Sequence, residues 1–192
     1  MTLTIIIPAA GSSSRMRGTD KLLELVQGEP ILCRQARLAL TASPLVIVTV
    51  RAQDPDRRAA LDGLQITLLP VPDAATGMAA SLRRGVALVK TAGLLILPAD
   101  MPDLTAADLR TMAEAFAATP NHILRATDAA GTPGHPVILP AAHYPEIAQL
   151  SGDQGARAIL TRHKDLIRLI QLPESHATTD LDTPEDWALW RA

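Results

Sequence analysis

Cysteine is almost missing from this sequence. Cys33 is the only one in 192 residues, which excludes an internal disulfide and any thiolate cluster for zinc or iron–sulfur chemistry. Aromatic residues make up only 2%. That argues against single-stranded nucleic-acid binding, which relies on stacking platforms. It also leaves Ala, Leu, Ile and Val to fill the core, a composition suited to helices packed on a parallel sheet. Charge of one sign is missing too: the net charge is −2, so no basic field exists to hold nucleic acid. Long hydrophobic runs are absent. The stretch Met1–Pro8 has no basic region before its apolar residues and is too short for a signal peptide or a membrane span. The expectation is a cytoplasmic protein that binds neither membrane nor nucleic acid.

What is present suits a packed globular chain. Hydrophobic residues reach 47% and charged residues 20%, enough apolar surface for one core, and the length suits a single domain over 1–192. Apolar β-branched runs at Leu3–Ile7, Leu45–Val50, Gln65–Leu69 and Leu94–Leu97 read as buried strands. Helices are expected at Pro30–Thr41, Pro55–Leu61, Met78–Val89 and Ala106–Ala117. This alternation implies a parallel sheet with helices on both faces. Further on, His122–Thr127 and His135–Leu139 read as two strands around a turn at Ala130–Gly134. Gly152–Arg162 reads as helical, Leu166–Leu172 as a strand, and Thr183–Trp190 as a terminal helix with Pro184 in its first turn.

Four stretches carry candidate chemistry. Directly after the first strand comes Pro8-Ala-Ala-Gly-Ser-Ser-Ser-Arg-Met-Arg-Gly-Thr-Asp-Lys21. Small residues let the backbone turn and approach a ligand. Successive N–H groups and the hydroxyls of Ser12, Ser13 and Ser14 can donate to phosphate oxygens, and Arg15 and Lys21 add charge. The pattern is neither G-x-G-x-x-G nor G-x-x-x-x-G-K-[ST], so no dinucleotide or Walker-type site is indicated. The second stretch, Leu94–Asp103, puts Asp100 at the carboxyl end of a buried strand. Open α/β sheets place ligands there, and a carboxylate can hold Mg²⁺ against phosphate. Asp103 reads instead as a helix-start residue. In the third, Thr179–Asp186, Asp180 and Asp182 alternate along an extended segment and share a face. Either could complete a metal site, while Thr183, Glu185 and Asp186 suit a helix start. The fourth combines Gly134-His-Pro-Val with Gly152-Asp-Gln-Gly-Ala-Arg157, a loop opening a helix with Arg157 in its first turn. Cys33 and Met16 read as packing residues, and Trp187 and Trp190 as a docking face of the last helix.

As a set, these stretches resemble the MobA-like nucleotidyltransferases, the family that attaches nucleotides to molybdopterin. The loop Ala9-Ala-Gly-x-Ser-x-Arg-Met-x-Gly-x-x-Lys21 is similar to its triphosphate-binding signature, and Leu97-Pro-Ala-Asp-Met-Pro102 to its metal-binding strand end. Gly134-His-Pro-Val, Gly152-Asp-x-Gly-Ala-Arg157 and Asp180-x-Asp-Thr-Pro-Glu-Asp186 resemble its later motifs, in order. The resemblance implies a Rossmann-like three-layer α/β/α fold, mostly parallel with an antiparallel strand in the second half. It further implies a nucleotide-binding half over 1–120 and an acceptor-binding half over 121–192. Implied roles are catalysis for Arg15, Lys21 and Asp100, and nucleotide binding for Ala9–Arg15, Lys21, Gly77, Met78 and Ser81. His135, Asp153 and Arg157 would bind the acceptor, and Asp100 with Asp182 would bind Mg²⁺. Ala9-Ala10-Gly11 and Gly77-Met-Ala-Ala-Ser-Leu82 resemble the cytidylyltransferase branch, where guanylyltransferases tend to show Ala-Gly-Gly. The implied substrates are CTP and a molybdopterin-type phosphate, with a molybdoenzyme or its chaperone as onward partner. Transfer of another nucleotide or to a sugar or alcohol phosphate stays open, as does a non-catalytic nucleotide-binding role in molybdoenzyme maturation. The family usually has Gly where Arg17 stands, so Gly18 is expected to take over the turn.

Overall fold

The computed structural model describes residues 2–192. A sheet of seven strands runs through both halves of the chain: β1 (Leu3–Ala9), β4 (Val46–Arg51), β5 (Thr67–Val71), β6 (Gly93–Ile96), β7 (Ile123–Thr127), β8 (Pro133–Pro140) and β9 (Ile167–Gln171). Their spatial order is β5-β4-β1-β6-β8-β7-β9. All neighbours are parallel except those of β8, which runs against both β6 and β7. Between β4 and β6 the order reverses around β1, with Ile5 paired to Val46 on one side and to Leu95 on the other. That reversal opens a crevice at the strands' carboxyl ends.

Alternation along β1 shows why helices must cover both faces. Ile5 and Ile7 point into one core with α1 (Ile31–Ala42), α4 (Ala106–Ala118) and α7 (Pro184–Trp190). Ile6 points into the other with α3 (Met78–Val86), α5 (Tyr144–Ile147) and α6 (Ala156–Arg162). All three isoleucines are fully buried, as a strand covered on both faces requires. The arrangement is the expected three-layer one, with one antiparallel strand in the second half.

Differences are local. The helix expected from Pro30 begins at Ile31, because Pro30 pairs with Leu25 in a small hairpin of β2 (Leu25–Val26) and β3 (Glu29–Pro30). That hairpin and α5 were not legible, since elements of two to four residues carry no period. The helix expected over Gly152–Arg162 forms only from Ala156, leaving 152–155 as a loop. Asp103 does not start α4: Thr105 caps it in a capping box with Asp108, and Asp103 accepts from the Trp190 indole at 2.9 Å. Trp187 is buried and meets Trp190 edge-on, so the docking face holds. Met16 and Cys33 are buried, as expected. No helix of the described residues is long and apolar enough to cross a membrane.

Candidate active site

A cleft of about 830 Å³ opens at the carboxyl ends of β1 and β6. Its lining takes Ala10–Arg15 and Lys21 from the glycine loop and Gly77, Met78 and Ser81 from the start of α3. It also takes Asp100, Asp182, His135, Asp153 and Arg157. Ala10 and Asp182, 172 positions apart in sequence, thus line the same cleft. Ala9 does not reach the cleft; it is buried and contributes only its carbonyl.

That carbonyl leads to a residue sequence reasoning missed. Arg57, from α2 (Pro55–Ala60), is completely buried beneath the loop. Its Nη1 donates to the Ala9 and Gly11 carbonyls at 2.6 and 2.8 Å. Its Nε and Nη2 grip the Asp20 carboxylate at 2.7 and 2.8 Å, and Nη2 reaches the Ser13 hydroxyl at 3.1 Å. The Ser13 hydroxyl in turn donates to Asp20 at 2.8 Å. Ser13 is therefore held within the loop, and Ser12 and Ser14 are the hydroxyls left to a ligand. Burial pushes the Asp20 carboxyl up, but Arg57 outweighs it and holds it below the usual carboxylate value. The guanidinium's fixed fork suits this role: it satisfies carbonyls and a carboxylate at once.

Ser13 and Arg17 both adopt the left-handed region, at φ 51° and 53°, and Gly18 lies at φ 106°. Gly18 therefore does not replace position 17 in the turn; Arg17 itself takes the backbone conformation that glycine suits, which costs roughly 1–2 kcal/mol. Its side chain pairs with Glu185 at 2.7 Å.

At the loop's end, Lys21 Nζ donates to Asp100 at 2.5 Å and to Asp182 at 2.6 Å. Arg15 pairs with the other oxygen of Asp182. The Leu181 amide donates to the Asp100 carbonyl at 3.1 Å, which seats the Asp182 segment on the end of β6. Helix-start chemistry falls to Thr183 and Asp186, which form a capping box, so the Asp182 carboxylate is free to serve the cleft. Burial lowers the Lys21 ammonium's pKa, and the two carboxylates more than reverse that. Asp180 is exposed and does not line the cleft. Its carboxyl is raised by burial of its inner side and by the charges of Asp182 and Asp100. This donor set of converging carboxylate oxygens fits a hard divalent cation such as Mg²⁺.

The far wall is tightly built. Gly77 has φ 109°, and a Cβ there would meet the Gly152 carbonyl carbon and oxygen at 2.3 Å. Only glycine permits this approach. Ala79 donates to the Gly152 carbonyl at 3.0 Å and Ala80 to Gly77 at 3.2 Å. Two amides in the first turn of α3 are thus occupied within the protein. Beyond lie Arg125 and Arg157, which have no carboxylate partner among the described residues, and His135, whose buried Nδ1 has none either. Burial and the Arg125 charge hold the His135 pKa below the usual imidazole value. Arg125 was the second omission; a lone arginine inside the apolar run Ile123–Ala126 was its one signal.

A crossed α/β sheet with a glycine loop and a cation–carboxylate cluster at its switch point defines a nucleotide-binding α/β enzyme. The MobA-like NTP transferase domain matches residues 5–166, and the chain belongs to that family: it is a nucleotidyltransferase. A probable molybdenum cofactor guanylyltransferase of Nostoc sp. is 29% identical, the match covering 97% of this chain and 89% of the relative. The molybdenum cofactor cytidylyltransferase of Escherichia coli is also 29% identical, over 95% of this chain and 92% of its own length. The crystal structure of Rv0371c from Mycobacterium tuberculosis superposes with a TM-score of 0.85 at 26% identity, covering 98% of this chain and 97% of that one.

Proposed function

We propose that the protein transfers CMP from CTP to the terminal phosphate of a molybdopterin-type acceptor and releases pyrophosphate. One observation carries this reading: Lys21, bridging Asp100 and Asp182 at the mouth of the glycine loop. Asp100 and Asp182 would hold Mg²⁺, which when bound supplies Lewis-acid stabilisation of charge on phosphate oxygens. The loop amides, with Ser12 and Ser14, would seat the triphosphate. Arg15 and Lys21 would offset charge on the β- and γ-phosphates. An acceptor phosphate oxygen then attacks the α-phosphorus as the bond to the β-phosphate oxygen breaks. A phosphate monoester is mostly a dianion at neutral pH, so the attacking atom needs no general base. Positioning and charge stabilisation suffice. His135, Asp153 and Arg157 would line the acceptor side, and the unpaired Arg125 would join Arg157 in facing the acceptor's phosphate. The chain would form one domain, with a nucleotide half over 1–120 and an acceptor half over 121–192, and would work in the cytoplasm and pass its product to a molybdoenzyme or its chaperone.

CTP is favoured by Ala10, whose buried methyl packs with Ala80 and Val71 beside the start of α3. That methyl would narrow the space where a loop with Gly at this position would admit a purine. Steady-state turnover with molybdopterin and each triphosphate is expected to give the highest kcat/KM for CTP. A higher value for GTP would assign the chain to the guanylyl branch, the reading favoured by the Nostoc relative.

Lys21→Ala is expected to weaken CTP binding and slow transfer together. A charge-assisted contact in this partly buried setting is worth roughly 1.5–3 kcal/mol, or about 10- to 100-fold in kcat/KM. Unchanged kinetics would place the Lys21 ammonium outside the triphosphate's path.

A further inference from the structure

A second constellation lies away from the cleft. His143 ends the turn that follows β8, Glu146 stands three residues later in α5, and His163 caps the far end of α6. None of the three lines the cleft. His143 Nδ1 and His163 Nε2 approach the same oxygen, Glu146 Oε1, at 3.1 and 2.7 Å. One ligand atom from each of the three lies within 4.8 Å of the others.

We propose that His143, Glu146 and His163 form a zinc-class divalent cation site that joins α5 to the carboxyl end of α6. The donor chemistry supports this: two imidazole nitrogens and one carboxylate oxygen suit Zn²⁺, whereas Mg²⁺ selects oxygen alone. The geometry supports it as well. A tetrahedral zinc with bonds of about 2.0–2.1 Å spaces its ligand atoms about 3.3 Å apart, so His143, at 3.1 Å from the oxygen, is nearly in place and His163, at 2.7 Å, would move outward by about 0.6 Å. The imidazole centroids are 4.6 Å apart with planes tilted by 58°, so the rings converge on the carboxylate instead of stacking face to face. Each ring is anchored on a separate element, and His143 is buried, which fixes the ligands before an ion arrives. Arg162 donates to the other oxygen, Glu146 Oε2, at 3.2 Å. That contact holds the carboxylate for one-oxygen ligation through Oε1. Its charge opposes a cation but is exposed to water on its outer side and is therefore screened. The fourth position would be open to water, as in sites with three protein ligands. The opposite end of α6 carries Arg157 on the cleft wall, so an ion here would pin the helix that presents it.

The competing account is a hydrogen-bonded clamp with no ion, in which Glu146 simply accepts from both rings. Both accounts predict lost stability when a member is replaced, so stability alone does not separate them. The test uses chelator-stripped full-length protein at neutral pH, titrated with Zn²⁺ alone by calorimetry and with Co²⁺ alone by visible absorption. Asp100→Asn, which disables the cleft's own cation site, is expected to keep one equivalent of Zn²⁺ that the parent also binds, with a rise in melting temperature, and both are expected to give the strong visible bands of tetrahedral Co²⁺. His163→Gln and Glu146→Gln are each expected to lose at least about tenfold in Zn²⁺ affinity, along with those bands. Glu146→Gln keeps the shape and a carbonyl acceptor, so it serves if His163→Gln does not fold. The proposal is overturned if the parent shows no Zn²⁺-dependent stabilisation. It is equally overturned if the two variants bind as the parent does while Asp100→Asn alone loses the ion.

Discussion

Asp100→Asn is expected to abolish metal-dependent pyrophosphate release while leaving the fold intact. The side chain stands at the end of β6, part-buried, against Lys21 and beside the Asp182 segment. Asparagine keeps the size and one carbonyl oxygen, and Lys21 retains its 2.6 Å contact with Asp182. Packing therefore survives, and the melting temperature should move by only a few degrees. The charge that would hold a divalent cation is lost. A bound cation contributes several kcal/mol of transition-state charge stabilisation, so kcat should fall roughly a thousandfold. Far-UV circular dichroism checks the fold, and pyrophosphate release against Mg²⁺ concentration checks the chemistry. A variant with parental Mg²⁺ dependence would remove Asp100 from the metal site. Near-complete rescue at high Mg²⁺ would instead show that Asp182 holds the ion with little help.

The elements that were legible in the sequence share a physical reason. β1, β4 and β6 are covered on both faces, so nearly every residue is apolar, and the run itself marks the strand. Lys21, Asp100 and Asp182 were legible because each sits where general rules place phosphate or metal chemistry: after the first strand, at a strand end, and in an acidic pair beside a helix start. Arg57 was not. It belongs to Pro55-Asp-Arg-Arg, a sequence that reads as an exposed helix start. Nothing local separates it from Arg58, yet Arg57 is fully buried and Arg58 is not. The distinction arises only when β4 delivers α2 beneath the glycine loop. The same holds for the hydrogen bond that the Gly152 carbonyl accepts from the Ala79 amide. A helix start can be read from sequence, but which amides a distant loop occupies cannot.

Arg57→Met is expected to produce the largest combined loss of stability and function outside the cleft itself. Methionine fills much of the space but leaves the Ala9 and Gly11 carbonyls without this donor and the Asp20 carboxylate without its cation, with only the Ser13 hydroxyl and the Leu22 amide still donating to it. Removing one partner of a buried ion pair costs about 3–5 kcal/mol. Asp20 keeps some water contact, its side chain being 20% exposed, so about 3 kcal/mol is the better expectation. For a chain of this size that corresponds to a fall of roughly 6–12 °C in melting temperature. The pH dependence should change with it. Asp20's folded pKa lies below its unfolded value of 3.8, so its contribution is complete above that value and fades as pH falls through the lowered folded one. In the variant this acid-side dependence should shrink. Function separates positioning from mere support. Ser13 and the loop carbonyls lose their anchor, so KM for the triphosphate should rise at least tenfold even below the melting transition. The double variant Asp20→Asn with Arg57→Met removes the stranded charge and should recover part of the stability without recovering KM. If KM recovered together with stability, Arg57 would only be holding the fold. If KM stayed high while stability returned, the buried guanidinium is what sets the loop's shape for phosphate.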